Sequence, residues 1–363
     1  MKLTIDRDQI LDALGKVQSI VGTRSTIPIL ANVLFQADGG EVTLTTTDLD
    51  LSIRAKADAD VNTKGGITLP AKRAYSLFRE LPQGKVEIDV DDSDYATIKC
   101  GSSKFKLVGI SEDDFPPLPK YEDGSNFTIE QAVFKDMLKK TGYAASFEES
   151  RPTLNGLLVS LEKGKLTVVA TDSRRLAMVE HENIGSGDKL EFILPNKAVN
   201  ELQRVLKDEG SVTVFITDNQ VAFQLDQVVI VSKIVDGQYP NFRLVIPAEC
   251  KHRVTVEREI LLDAVKRASL LTSDQSKSVK MIFQDNRLTV STETPDVGNS
   301  EEKIPVKYDQ EKIAISFNPD FVLEPLRNLV SDEIFLELTD DLSPALIKSD
   351  IPFLCVLMPL RIN

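Results

Sequence analysis

LTIDRDQILDALGKVQSIV (residues 3–21), FTIEQAVFKDMLKKTGYAAS (127–146) and VTVEREILLDAVKRASLLTS (254–273) share one pattern. Each reads as a short alternating strand, an acidic residue and an amphipathic helix. In the first, Ile10, Leu11, Leu14, Val17 and Val21 recur at helical spacing; in the third, Ile260, Leu261, Ala264, Val265, Ala268 and Leu271 do the same. A self-similarity of this length is the mark of a repeated unit. Later landmarks keep the order. A β-rich stretch ending in a turn comes next: EVTLTTTDLDLSIRAKA from Glu41, KLTVVATDSRRLAMVEH from Lys165, RLTVSTETPDVGNSEEKI from Arg287. A second helix follows: LPAKRAYSLFREL from Leu69, LPNKAVNELQRVL from Leu194, FNPDFVLEPLRNLV from Phe317. Pro70 and Pro195 stand just before it and Pro319 at its start, where a missing N–H costs little. Strand-rich sequence closes each copy.

The chain of 363 residues therefore reads as three β-rich domains of the α+β class with two helices each, over 1–122, 123–250 and 251–363. Pro325, inside the last helix, is expected to kink it or shift its start. Strand edges left open by such units invite pairing with another edge. A head-to-tail contact between the last unit of one chain and the first of another closes a ring if the rotation permits.

No run approaches 18 apolar residues, so no membrane helix is expected. The N-terminus has no apolar h-region, which points to a cytoplasmic chain. Cys100, Cys250 and Cys355 are widely scattered and read as reduced thiols. The net charge of −13 argues against nucleic acid. Its distribution argues the other way. Less their acids, Lys72, Arg73 and Arg79 make residues 72–80 net +2, Lys197, Arg204 and Lys207 make 196–207 net +2, and Lys135, Lys139 and Lys140 make 130–141 net +1; with two helices neutral and the last −1, the sum is about +4, against about −17 for the rest. Helices lining a common interior would attract phosphate there.

No Walker loop and no GxSxG elbow occurs, and the cysteines lack metal-ligand spacing. His181 and His252 read as exposed loop residues. Asp91–Asp92, Asp113–Asp114 and Asp340–Asp341 read as turn aspartates. No catalytic residue, metal or cofactor is expected. TDSRRL (171–176) is the one polar cluster that looks like a site, and a turn with caps explains it equally. An enzyme using Asp172 as a base, or a peptide scaffold with no DNA role, are the competing readings.

GTRSTIPIL (22–30), TTTDLDLSI (45–53), LPAKR (69–73), RPTLNG (151–156), ATDSRRLA (170–177), SKIVDGQYPNFR (232–243) and VLMPLR (356–361) together resemble the bacterial DNA polymerase III β subunits, the sliding clamps, over the whole chain. The resemblance implies a non-enzymatic head-to-tail homodimeric ring, helices inside and sheets outside. Such a ring encloses duplex DNA and tethers the replicative polymerase. It implies DNA contacts at Arg24 and Lys72, the latter where the family often has arginine, with Arg73, Arg151 and Lys197 as further cations. Pro152 and Thr153 replace aromatic residues of some members.

A pocket for short linear motifs of polymerase, clamp loader and repair proteins is implied at Leu154, Thr171, Arg174, Arg175, Leu176, Pro240, Val245, Val356, Met358, Pro359 and Leu360. Ser173, Arg174, Leu244 and Pro344 depart from the family's common Gly, His, basic residue and Ser. The implied dimer seam sets Phe105 and Leu107 against Leu270 and Leu271.

Overall fold

The computed structural model describes residues 1–22, 27–148, 150–185, 189–273, 277–295 and 297–361. One order of elements recurs three times. The first run is β1 (Lys2–Asp6), α1 (Arg7–Val17), β2 (Asn32–Asp38), β3 (Glu41–Thr47), β4 (Leu51–Asp58), β5 (Asp60–Thr63), β6 (Gly65–Pro70), α2 (Ala71–Glu80), β7 (Lys85–Val90), β8 (Tyr95–Cys100) and β9 (Ser103–Val108). The second is β10 (Ser125–Glu130), α3 (Gln131–Gly142), β11 (Gly156–Glu162), β12 (Lys165–Thr171), β13 (Arg175–His181), β14 (Leu190–Pro195), α4 (Asn196–Val205), β15 (Ser211–Ile216), β16 (Gln220–Leu225) and β17 (Val228–Lys233). The third is β18 (His252–Glu257), α5 (Arg258–Ser269), β19 (Val279–Gln284), β20 (Arg287–Thr294), β21 (Gly298–Pro305), β22 (Ile313–Phe317), α6 (Pro319–Asn328), β23 (Glu333–Leu338), β24 (Ala345–Lys348) and β25 (Phe353–Leu357). Among the strands and α-helices of the described residues, β5 alone has no counterpart in the other two runs.

The local reasons are ordinary ones. Asp6 caps α1 by accepting from Asp8 N at 3.0 Å, and Ile10, Ala13, Leu14 and Val17 form its buried stripe. Asn318 caps α6 in the same way through Asp320 N, with Pro319 in the first turn. That helix runs through Pro325 to Asn328, starting where the sequence places it. In so short a helix the proline removes a single interior hydrogen bond, and its ring is buried in the core.

The strands form two compact units. Unit 1 (1–132 and 200–234) holds a five-stranded sheet, β5-β1-β7-β8-β9, and an eight-stranded sheet, β10-β15-β16-β17-β4-β3-β2-β6. Unit 2 (133–199 and 235–363) holds β14-β11-β12-β13-β25-β24-β23-β18 and the four-stranded β21-β20-β19-β22. Each eight-stranded sheet is continuous across two runs of the chain. β17 pairs with β4 (Val228 with Ala55, Ser232 with Leu51), and β25 pairs with β13 (Leu357 with Arg175, Phe353 with Val179). β9 and β21 each end a sheet.

The histidines correct the sequence reading. His181 ends β13 and His252 begins β18; both are half-buried, because paired strands cover them. The phenol of Tyr308 lies 2.9 Å from His252 Nδ1. The aspartates behave as turn residues: Asp91 accepts from Ser93 N and Tyr95 N, and Asp340 from Leu342 N and Ser343 N. These backbone donors hold both carboxyls below the usual range.

Cys100 and Cys355 are buried and Cys250 is half-buried. Burial pushes the Cys355 thiol up to about 12. Since only thiolate reacts, iodoacetamide at pH 8 is expected to alkylate Cys250 first in the native chain. Intact-mass spectrometry should then give a single adduct, and three after unfolding; early labelling of Cys355 would contradict the packing.

Candidate functional site

The TDSRRL cluster is a built turn between β12 and β13. Asp172 Oδ1 accepts from Arg174 N at 2.9 Å and Arg175 N at 3.0 Å. Thr171 Oγ1 accepts from Ser173 N at 3.1 Å and donates to Arg175 O at 2.6 Å. Ser173 is left-handed at φ 74°, where glycine is the easier choice. The same device recurs at Thr47-Asp48-Leu49 before β4. There Leu49 has φ 78°, Thr47 Oγ1 accepts from Leu49 N, and Asp48 Oδ1 accepts from Asp50 N and Leu51 N. Turn and site were the two readings of this cluster, and the turn is present in full.

What differs is the neighbourhood of the second turn. Leu176 pairs with Val356 across β13 and β25, and Met358 N donates to Arg174 O at 3.0 Å. Leu360 N donates to Ser316 O at 2.8 Å, which ties down the end of the chain. Leu154, Leu176 and Val356 belong to one apolar cluster with Leu158, Val169, Ile193, Tyr239, Leu346 and Leu354; Met178, Val235, Phe242, Ile246 and Cys250 pack against it. Above this floor, Met358 and Leu360 stay 40 % and 37 % exposed, Val245 46 % and Leu244 81 %. Arg174 and Pro240 are exposed and Pro359 is half-buried. Apolar side chains left in water beside a built apolar floor, rimmed by Arg174, suit an extended peptide with apolar anchors.

Tyr239, Phe242 and Ile246 in the floor were missed by the sequence reading, although all lie within or just after SKIVDGQYPNFR. Leu158, Val169 and Met178 were also missed. Their signal was the period-two alternation that puts them on one face of β11, β12 and β13. Burial raises the Tyr239 phenol well above its ordinary value, so it is neutral here. Among the described residues, no three His, Cys, Asp or Glu side chains converge in a way that could hold a metal ion.

The cations predicted to meet DNA divide into two groups. Lys72 and Arg73 are exposed on the first turn of α2, with no ion pair among the described residues. Lys197 is exposed at the start of α4. Arg151 is exposed and donates to Ser173 Oγ at 3.0 Å, with Glu148 at 3.9 Å. Arg24 lies outside the described residues. Arg204, counted among the helix cations, is committed elsewhere: it donates to Gly15 O, Lys16 O and Ser19 Oγ and pairs with Glu201 at 2.7 Å. It satisfies the last carbonyls of α1. Lys140 is likewise buried against Asp136. Each pairs with an acid already counted in the helix sum, so the net helix charge stands while fewer of its cations are open to a ligand.

At the third set of predicted residues, Phe105 is 41 % exposed on the edge strand β9 and Leu107 is half-buried. Leu270 is 75 % exposed at the C-terminal end of α5. Leu271 is half-buried, with Leu271 Cδ1 beside Gly298 at the start of β21.

Three family models tile the chain: the DNA polymerase III beta subunit N-terminal domain over residues 1–119, its central domain over 128–241 and its C-terminal domain over 243–361. The chain belongs to the DNA polymerase III beta subunit family. The beta sliding clamp of Chlamydia pneumoniae is 34 % identical over 364 residues, covering all of both chains. That of Caulobacter vibrioides is 33 % identical, again at full coverage. Among solved clamps, the Bartonella birtlesii structure bound to griselimycin superposes at TM-score 0.95 with 35 % identity. The Bacillus subtilis clamp does so at TM-score 0.96 with 30 % identity, and both comparisons cover each chain completely. The α+β fold with repeated β-rich domains is thus that of the clamps. Among the described residues, no helix is long and apolar enough to cross a membrane.

Proposed function

We propose that two copies of this chain close head to tail into a ring that encircles duplex DNA, tethers the replicative polymerase and has no enzymatic activity of its own. The three copies of the repeat are its domains, 1–122, 123–250 and 251–363, with helices towards the hole and sheets on the rim. The observation that carries this reading is a strand-pairing rule. The last strand of the second copy, β17, pairs with β4 of the first, and the last strand of the third, β25, pairs with β13 of the second. The equivalent strands left over are β9, last in the first copy, and β21, third-copy counterpart of β4 and β13. Both are edges. An edge strand with no partner is a template for one, and pairing β9 of one chain with β21 of another applies the same rule twice more and closes the ring.

The register follows by equivalence. Lys233 N donates to Asp50 O, and Met358 N to Arg174 O; the corresponding pair is Val108 N and Val297 O. Gly298 then faces Leu107, Asn299 faces Lys106 and Glu301 faces Lys104 of the other protomer. Val108 and Val297 are 65 % and 50 % exposed in the single chain, as two halves of an open seam would be. β9 offers Lys104 and Lys106, and β21 offers Glu301.

A ring that slides must hold phosphate weakly and without reading bases. Lys72, Arg73, Arg151 and Lys197 supply such a term, with Arg24 as a further candidate, and enclosure does the holding. The groove over Leu154, Thr171, Leu176 and Val356 takes the linear motifs of polymerase, loader and repair proteins, so that dissociation becomes rebinding at high effective concentration. The chain would act in the cytoplasm, on the nucleoid. Light scattering over a range of concentrations tests the ring: twice 40.2 kDa, about 80 kDa, is expected, and a 40.2 kDa species at every concentration would remove the enclosure. Replacing Lys72 and Arg73 by Glu should speed loss of the loaded ring from DNA and flatten its salt dependence by up to about four phosphate contacts, two per chain, read by retention at stepped salt.

A further inference from the structure

The guanidinium of Arg175, unlike the side chain of Arg174, is buried and bonded within the protein. Its side chain is 8 % exposed. Nε donates to Asp172 Oδ2 at 3.1 Å, Nη2 to Tyr143 O at 2.5 Å and Nη1 to the carboxylate of Glu324 on α6. The rings of Phe321 and Tyr143 lie 4.5 and 5.5 Å from its carbon. Each of its three nitrogens makes at least one bond within the protein. The backbone of the same residue does touch the groove. Arg175 O accepts from Thr171, Arg174 O clamps Met358 N, and Leu176 beside it is part of the floor.

We propose that Glu324 is a positioning residue for peptide binding: through Arg175 it fixes the Asp172–Arg174 turn that clamps Met358, while Arg175 itself makes no peptide contact. This rests on the reading of the groove as a peptide site. Helix α6 thereby acts on the turn at the rim of the site. The physical cause is the cost of a buried guanidinium. With both carboxylates present it is anchored on two sides; without Glu324 only Asp172 and Tyr143 O hold it, so the guanidinium shifts and the turn carried on its backbone shifts with it.

The test is fluorescence anisotropy of a labelled peptide with a Leu-Phe anchor pair, using the full dimeric protein. Glu324→Gln keeps the size of the side chain and removes the charge; binding should weaken by about 3- to 10-fold, with the mass in solution unchanged. Arg175→Met should weaken it by about 10-fold or more, and adding Glu324→Met to that variant should recover affinity to within about 3-fold of wild type, because it removes the carboxylate that Arg175→Met leaves unpaired, while Asp172 keeps its bonds from Arg174 N and Arg175 N. A direct contact from Arg175 to the peptide cannot be restored by changing Glu324. A double variant as weak as Arg175→Met, or a Glu324→Gln protein that binds like wild type, would overturn the proposal. Should the methionine variants fail to fold, the Glu324→Gln comparison alone decides it. Absence of binding by the wild-type protein overturns the groove reading itself, and is seen before any variant is made.

Discussion

Leu270→Ala together with Leu271→Ala should turn the dimer into 40.2 kDa chains at micromolar concentration. Leu270 is three-quarters exposed and Leu271 stands beside Gly298, where the register brings in Leu107 of the other chain. Burying a leucine is worth roughly 1.5–3 kcal/mol, and a two-chain ring has the seam twice. Even half of that burial, lost at both seams, raises the dimer dissociation constant by at least about 100-fold, since about 1.4 kcal/mol is a factor of ten. Sedimentation velocity at falling concentration reads it directly. The register gives a sharper companion: Lys106→Cys on β9 with Asn299→Cys on β21 should oxidise to a covalent dimer. A pair displaced by one residue should not, because a one-residue slip turns the side chains to opposite faces. A double-alanine protein that keeps its wild-type sedimentation at the lowest concentration would count against the seam.

Removing residues 358–363 is expected to have the larger effect on partners. Met358 is held by Arg174 O, and Leu360 by Ser316 O, so the truncation takes away a backbone clamp and two half-exposed apolar anchors together. Central apolar anchors of an interface commonly carry 2 kcal/mol or more each. Affinity for the Leu-Phe peptide should fall by about 100-fold, while light scattering still reports a dimer, since β9 and β21 are untouched. Retention of affinity to within about 3-fold would show that the groove is not where peptide binds.

Much of this was legible in the sequence because it depends on local periodicity. Alternation placed the strands, the Ile10-Leu14-Val17 stripe placed α1, and the prolines before α2 and α4 placed their starts. The Thr-Asp turns at Thr47 and Thr171 were also visible as strings, and their short-range hydrogen bonds are fixed by the residues that make them. What was not legible depends on which strands become neighbours. Val108 and Val297 look like ordinary strand and turn residues until the sheet order makes β9 and β21 edges. Tyr239, Phe242 and Ile246 become a floor only once β13 pairs with β25.

Which cations stay open to a ligand was hidden for the same reason. Arg204 and Lys140 fall on helices and count as cations in any sum, but the fold spends one on the carbonyl end of α1 and the other on Asp136. Arg175 was legible as part of a cluster; the direction of its guanidinium depends on Glu324, far away in sequence. His181 and His252 were misplaced because their strands end in polar residues that pattern like loops.

Topology on DNA tests the central claim most directly. The protein, loaded by its clamp loader onto a nicked circular plasmid and freed of loader by a salt wash, is followed by gel filtration before and after the plasmid is cut once. Enclosure predicts that protein travels with the circle through the salt wash and leaves within minutes of the cut, because a ring slides off a free end while its weak phosphate contacts are screened. Equal retention on cut and uncut plasmid would mean that affinity and not enclosure holds the protein, and the ring account would be wrong.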